Sequence, residues 1–298
     1  MFQICGGEME VLLSGLNSYL GKRAMSNLSR DDFNVHGIVR DLELFNARKT
    51  EESTATLNRV DLLRKGKEFD AFKIDSALGL AIYITHVPTL GEYVNLNLEL
   101  ITLKNFIELT KLNGGRRLVY IARLMDKPFI PHIEALLKAS NIDYTIVLKN
   151  LAIGKGSVLD KYMHQLINAK YLPYDNMFAK VKFNPISSLD LLRWIYNVDW
   201  DKHFLNQTIE IGGPKTITVQ DMYRLYKKTL YPNAEVKSIL LPHFIMNMMF
   251  KKAYHIHKED VVEFKRLMQQ EYPIDNTSWK NIILFSFTPL DQVIKFDQ

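Results

Sequence analysis

Between Met9 and Leu148 the chain alternates short apolar runs with stretches of helical spacing, and few folds accept that order. Six runs read as strands: MEVLLS (9–14), FNVHGIV (33–39), residues 56–60, LGLAIYIT (78–85), LVYI (118–121) and YTIVL (144–148). The nearly unbroken apolar run at 78–85 has the character of a strand buried on both faces. Before the fifth strand, Leu96, Leu100, Leu103, Ile107 and Leu109 recur at helical spacing until Asn113-Gly114-Gly115 stops the helix. Residues 22–28 and 133–140 supply further helices. Parallel strands need such crossovers, so the expectation is an α/β fold of Rossmann type, a doubly wound parallel sheet, over residues 8–150. Residues 1–7 then form a tail, and residues 151–298 a smaller C-terminal substrate lobe. In that lobe 161–169, 190–198, 219–230 and 258–270 read as helices. Residues 181–214, with a strand at 207–211, return to the sheet.

Composition narrows the function classes. With 47% hydrophobic and 24% charged residues and no low-complexity run, the chain is an ordinary globular one. Its single cysteine, Cys5, excludes an internal disulfide and a cysteine-built zinc site. A reducing compartment, the cytoplasm, is therefore expected. The net charge of +5 favours anionic ligands. The basic doublets Lys22-Arg23, Arg116-Arg117 and Lys251-Lys252 form no stripe, so no nucleic-acid partner is expected. No window approaches the ~18 apolar residues that a membrane span requires, so no membrane partner is expected either. His255 and His257 lack a third ligand at metal spacing, and no metal is assigned. Ser157, Ser187 and Ser188 sit in no nucleophile elbow. The Met246, Met248 and Met249 run reads as core or as the lining of an apolar groove.

The turn after the first strand carries the candidate chemistry. A strand that runs through glycines into a helix offers free N–H groups and a positive dipole end to a pyrophosphate. Gly15 to Gly21 has the spacing G-x-x-S-x-x-G, with Ser18 where a glycine would let a ligand approach most closely. Arg40 closes the second strand, where a dinucleotide site carries a cation for a 2′-phosphate or an acid for a ribose hydroxyl. NADP is preferred on that basis, and Asp41 beside it keeps NAD open.

With these features in view, the chain resembles the atypical and extended short-chain dehydrogenase/reductases, especially the NmrA-like and nucleoside-diphosphate-sugar-epimerase-like members. The resemblance is carried by LLSGLNSYLG (12–21), IVRD (38–41), VDL (60–62), RRLVYIA (116–122), DYTIVLKN (143–150) and EIGGP (210–214), in the family's order over about 200 residues. It implies that Gly15, Asn17, Ser18, Tyr19, Leu20 and Gly21 wrap a pyrophosphate, that Arg40 takes the 2′-phosphate, and that Asp61 and Leu62 adjoin the adenine. Thr85 and His86 would approach the nicotinamide ribose. The ligands implied are a dinucleotide and a small-molecule substrate.

Departures from the pattern bear on activity. Where the family has a catalytic Ser or Thr after the fifth strand, this chain has Ala122-Arg123-Leu124. The slots of its Tyr-x-x-x-Lys pair fall near Asp126 and Ile130. In the family's mechanism that Tyr exchanges a proton with the substrate oxygen, so its loss implies a cofactor-binding protein without turnover. The alternative is an active NADP-dependent oxidoreductase or epimerase in which Lys127, Asp126 or Glu99 takes over the proton chemistry. The plainer reading of each is a solvated side chain: a loop lysine, a loop aspartate and an exposed helical carboxylate.

Overall fold

The six apolar runs form strands, and a seventh joins them. The computed structural model describes residues 9–29, 33–47, 53–168, 170–173, 181–199, 201–235, 237–239 and 258–296. The sheet contains β1 (Met9–Leu13), β2 (Phe33–Val39), β3 (Thr56–Arg59), β4 (Leu78–Ile84), β5 (Arg117–Arg123), β6 (Asp143–Lys149) and β7 (Gln207–Ile211), in the order β7-β6-β5-β4-β1-β2-β3. The order in which successive strands are added reverses between β1 and β4, which are parallel and register Leu12 with Ala81 and Leu13 with Ile82. Such a switch point opens a crevice at the carboxyl ends of the strands, where doubly wound sheets bind ligands.

The central strands are apolar because both faces are covered. Val11, Leu12 and Leu13 of β1, Ala81 and Tyr83 of β4, and Leu118, Val119 and Tyr120 of β5 are wholly buried. Burying a large apolar side chain contributes roughly 1.5–3 kcal/mol. These strands therefore fix the register of the site, since a one-residue slip would turn each of them over. The crossovers include α1 (Tyr19–Leu28), α2 (Leu42–Ala47), α3 (Lys67–Ala71), α4 (Tyr93–Leu112) and α5 (Ile130–Ala139). Two helices begin earlier than their apolar spacing indicates. Ser18 caps α1 with its side chain, which moves the start from 22 to Tyr19. Pro131 fits the first turn of α5, which follows a 3₁₀ segment over Leu124–Phe129.

The chain separates into two compact units. One comprises residues 1–122, 128–147 and 199–208, and the other 123–127, 148–198 and 209–298. The second unit carries α6 (Val158–Asn168), α7 (Ser188–Asp199), α8 (Val219–Leu230) and α9 (Lys258–Gln269). Its core gathers Leu159 and Met163 of α6, Met222 of α8 and Val261 and Phe264 of α9. A capping box starts α8: the Asp221 N–H donates to Thr218 Oγ1 and the Thr218 N–H to Asp221 Oδ2, each at 3.1 Å. Cys5, Met246, Met248, Met249, His255 and His257 lie outside the described residues. Among the described residues no helix is long and apolar enough to cross a membrane.

Candidate dinucleotide site

The loop from β1 to α1 is built around two positions that admit no side chain. Gly15 has φ +78°, and a Cβ there would stand 2.6 Å from the Ile84 carbonyl oxygen. At Gly21 a Cβ would stand 2.1 Å from the Gly15 carbonyl oxygen, so the start of α1 lies directly on the loop. Ser18 locks this turn from inside. Its hydroxyl donates to the Gly15 carbonyl (2.8 Å) and accepts from the Gly21 N–H (3.0 Å). Ser18 thus satisfies one of the N–H groups that a first helical turn leaves without intrahelical partners. Asn17 is exposed, whereas Tyr19 and Leu20 are buried and tie the loop to the core.

The other positions named by the resemblance also lie at carboxyl ends of strands. Arg40 and Asp41 follow β2 and are exposed; Asp41 Oδ1 accepts the Leu44 N–H at 2.9 Å, which starts α2. The turn after β3 is shaped by Asp61, whose Oδ1 accepts from the Leu63 N–H at 2.8 Å. Asn105 of α4 holds the same turn by donating to the Leu62 carbonyl at 2.7 Å.

At the end of β4 the chain encloses a polar cluster. Glu99 of α4 is completely buried: its Oε1 accepts from the Tyr120 hydroxyl (3.0 Å) and its Oε2 from the His86 N–H (3.1 Å). The plainer reading of Glu99 as an exposed helical carboxylate is thereby corrected. Tyr83 and Tyr120 are register partners on β4 and β5, with rings stacked at 5.6 Å, and the His86 ring stacks on Tyr83 at 4.7 Å. The Thr102 hydroxyl donates to the Leu98 carbonyl, so at 2.7 Å it accepts its hydrogen bond from Tyr83. Burial, with the Glu99 charge adding to it, raises the Tyr83 hydroxyl well above its ordinary pKa. Thr85 is oriented by donation to the Ile121 carbonyl at 2.8 Å. By the family's spacing neither tyrosine falls at a catalytic slot, and only a shift of register would bring Tyr120 into play. The available signal was a single tyrosine at matching positions of two largely apolar runs.

Two buried polar atoms at the switch point have no partner among the described residues: Ser14 Oγ, at the end of β1, and His86 Nε2, just past β4. Buried polar atoms are normally bonded, and their occurrence beside a side-chain-free helix start fits a polar ligand such as a dinucleotide. Burial also lowers the His86 imidazole to about 4, keeping it neutral at pH 7. A histidine depressed from about 6.5 withdraws stability as pH falls, because only the unfolded chain takes up the proton. The loss should run from about pH 6.5 to about 4 and amount to at most about 3 kcal/mol. Urea unfolding at the two ends of this window checks it: His86→Phe, which keeps a flat ring on Tyr83, should lose about 2 kcal/mol less than the native chain on acidification. Equal losses in the two proteins would show that His86 is not the group responsible.

Asp126 and Lys127 belong to the second unit; Asp126 is not the solvated loop residue that the sequence favoured, whereas Lys127 is exposed as expected. Asp126 is wholly buried, and Arg123 Nε donates to its Oδ2 at 2.6 Å. Lys127 extends into solvent but pairs with Glu210, whose other oxygen accepts the Asp275 N–H at 2.8 Å.

The fold is that of the extended short-chain dehydrogenase/reductases and sugar-nucleotide epimerase-like proteins. No protein-family model matches the chain, and a search of curated proteins finds no match. Solved structures match over nearly its whole length. Triphenylmethane reductase from a Citrobacter species, in complex with NADP(H), aligns with TM-score 0.67 and 14% identity over 96% of this chain and 99% of its own. UDP-glucose 4-epimerase from Thermotoga maritima, with UDP-glucose, gives 0.65 and 11% over 96% of each chain. MoeE5, in complex with UDP-glucose and NAD, gives 0.64 and 13%, again over 96% of each.

Proposed function

We propose that this protein binds a nicotinamide dinucleotide, NADP in preference to NAD, and that it lacks the ordinary Tyr-x-x-x-Lys acid/base pair of the reductases it resembles in fold. The observation that carries this reading is the coincidence at one switch point of the Gly15–Gly21 turn with the two unpartnered atoms Ser14 Oγ and His86 Nε2. In this reading Gly15, Asn17, Ser18, Tyr19, Leu20 and Gly21 hold the pyrophosphate, Arg40 the 2′-phosphate, Asp61 and Leu62 the adenine, and Thr85 and His86 the nicotinamide end. A bound nicotinamide supplies hydride exchange. The chain's own contribution is to orient that ring and exclude water, and His86, held neutral, offers an acceptor or donor without adding charge.

A second reading, active oxidoreductase or sugar-nucleotide epimerase, is favoured by the Tyr120–Glu99 hydrogen bond, a buried phenol beside a buried carboxylate. Thermal denaturation with NADPH, NADH and several nucleotide sugars tests the binding reading. A ligand at ~100-fold its Kd stabilises the native state by about 2.7 kcal/mol. An unchanged Tm with both dinucleotides would overturn it. NADPH oxidation above background with aldehydes, ketones or 4-keto sugars, lost in Tyr120→Phe, would decide for the second reading.

Arg40 sets the expected selectivity. A guanidinium on a 2′-phosphate forms charge-assisted hydrogen bonds of roughly 1.5–3 kcal/mol. Titration of Arg40→Ala should show affinity for NADPH lowered about tenfold or more and affinity for NADH little changed. Equal losses for both would remove Arg40 from the 2′-phosphate.

A further inference from the structure

The second unit holds a phenol, an imidazole and a carboxylate in series. His164 Nδ1 lies 2.6 Å from the Tyr231 hydroxyl, and His164 Nε2 lies 3.3 Å from Asp160 Oδ1. Asp160 and His164 are four residues apart on α6, hence on one face of that helix, while Tyr231 is the residue that closes α8. The carboxylate is fixed from its other sides: Oδ2 accepts the Gly156 N–H at 2.9 Å, and Oδ1 accepts the Tyr226 hydroxyl at 3.1 Å. Being an acceptor only, Asp160 favours the imidazole tautomer with its proton on Nε2. That leaves the Nδ1 lone pair for the Tyr231 O–H. His164 and Tyr231 are both half-buried rather than enclosed.

A hydroxyl in hydrogen-bond reach of an imidazole that a third group orients is the general arrangement of an activated nucleophile. We propose that Tyr231 is an activated phenol that takes an acyl group from an activated ester, with His164 as its general base and Asp160 as a positioning residue. The Tyr231 oxygen forms a bond to the acyl carbon as the phenolic proton passes to His164 Nδ1. The bond from that carbon to the leaving oxygen breaks, and the leaving group takes the proton from His164. Oxidation states are unchanged throughout. The charge carried by this series is the negative one of Asp160, which favours a neutral acyl donor over an anionic phosphoryl donor.

The test is acetylation of the intact protein by p-nitrophenyl acetate, followed by peptide mass spectrometry. Tyr93, 82% exposed, is the internal reference for an ordinary phenol. General-base assistance is worth about 10²–10⁴-fold, so Tyr231 should acetylate at least about tenfold faster than Tyr93 even when half-buried. His164→Asn and His164→Gln should each bring Tyr231 down to the Tyr93 rate while Tyr93 stays unchanged. Asp160→Asn should slow Tyr231 and also move the His164 ring proton from Nε2, which nitrogen chemical shifts read directly. Acetylation of Tyr231 no faster than Tyr93, an unchanged rate in both His164 variants, or acyl transfer to His164 in place of Tyr231 would each overturn the proposal.

Discussion

Replacing Gly21 by alanine is expected to destabilise the protein by about 3 kcal/mol and to abolish dinucleotide binding. The added Cβ would stand 2.1 Å from the Gly15 oxygen, 2.7 Å from the Gly15 carbonyl carbon and 2.8 Å from Leu16 Cα. All three are backbone atoms, so no rotamer change relieves the clash. Overpacking relieved by side-chain movement costs about 1–3 kcal/mol, and a clash that must move the loop itself belongs at or above the top of that range. A comparison separates crowding from backbone preference. Gly114 has φ +76°, with nothing nearer than 3.9 Å to a Cβ, so Gly114→Ala meets only the left-handed conformational penalty of about 1–2 kcal/mol. Urea unfolding of both variants, with and without NADPH, reads both effects. Equal destabilisation of the two, or an intact NADPH stabilisation of Gly21→Ala, would refute the role given to the loop.

The glycine turn was legible in the sequence because its requirements are local. A strand, two residues without side chains and a helix are all written within residues 9–28. The same holds for the apolar runs of β1 to β6 and for the Thr218 start of α8, where period and capping chemistry act over a few residues. The state of Glu99 was not legible. Its burial depends on Tyr120, which lies 21 residues downstream on β5, and on the backbone of His86. Within α4 it reads as one polar position among several. The ion pair of Lys127 escaped for the same reason, since its partner Glu210 is 83 residues away. Ser18 is the intermediate case. Seen as a defective glycine it weakens the motif, yet in place it caps α1 and bonds both ends of the turn. A serine at the start of a helix satisfies the backbone group that a glycine leaves open.

Truncating Lys149 to methionine is expected to cost about 3–5 kcal/mol, the range for removing one member of a buried ion pair. Lys149 is the last residue of β6 and Glu263 lies on α9; the side chains are 7% and 4% exposed, and Nζ lies 2.8 Å from both carboxylate oxygens. Desolvating two charges is unfavourable, so the pair need not stabilise the fold relative to apolar residues of the same volume. Its effect appears when one partner goes, because the survivor loses the opposite charge 2.8 Å away in a site that water reaches poorly. Lys149→Met and Glu263→Leu should therefore each be strongly destabilising, and the double variant should recover most of the loss. Denaturant unfolding of the four proteins gives the coupling directly. The coupling should also change little between low and high salt, since buried charges are weakly screened. Single-variant losses below about 1 kcal/mol, as for exposed pairs, would contradict this assignment and with it the attachment of α9 to the end of β6. No such contact could be read from the sequence, where an apolar strand ending in lysine and a charged helix 114 residues later each look complete alone.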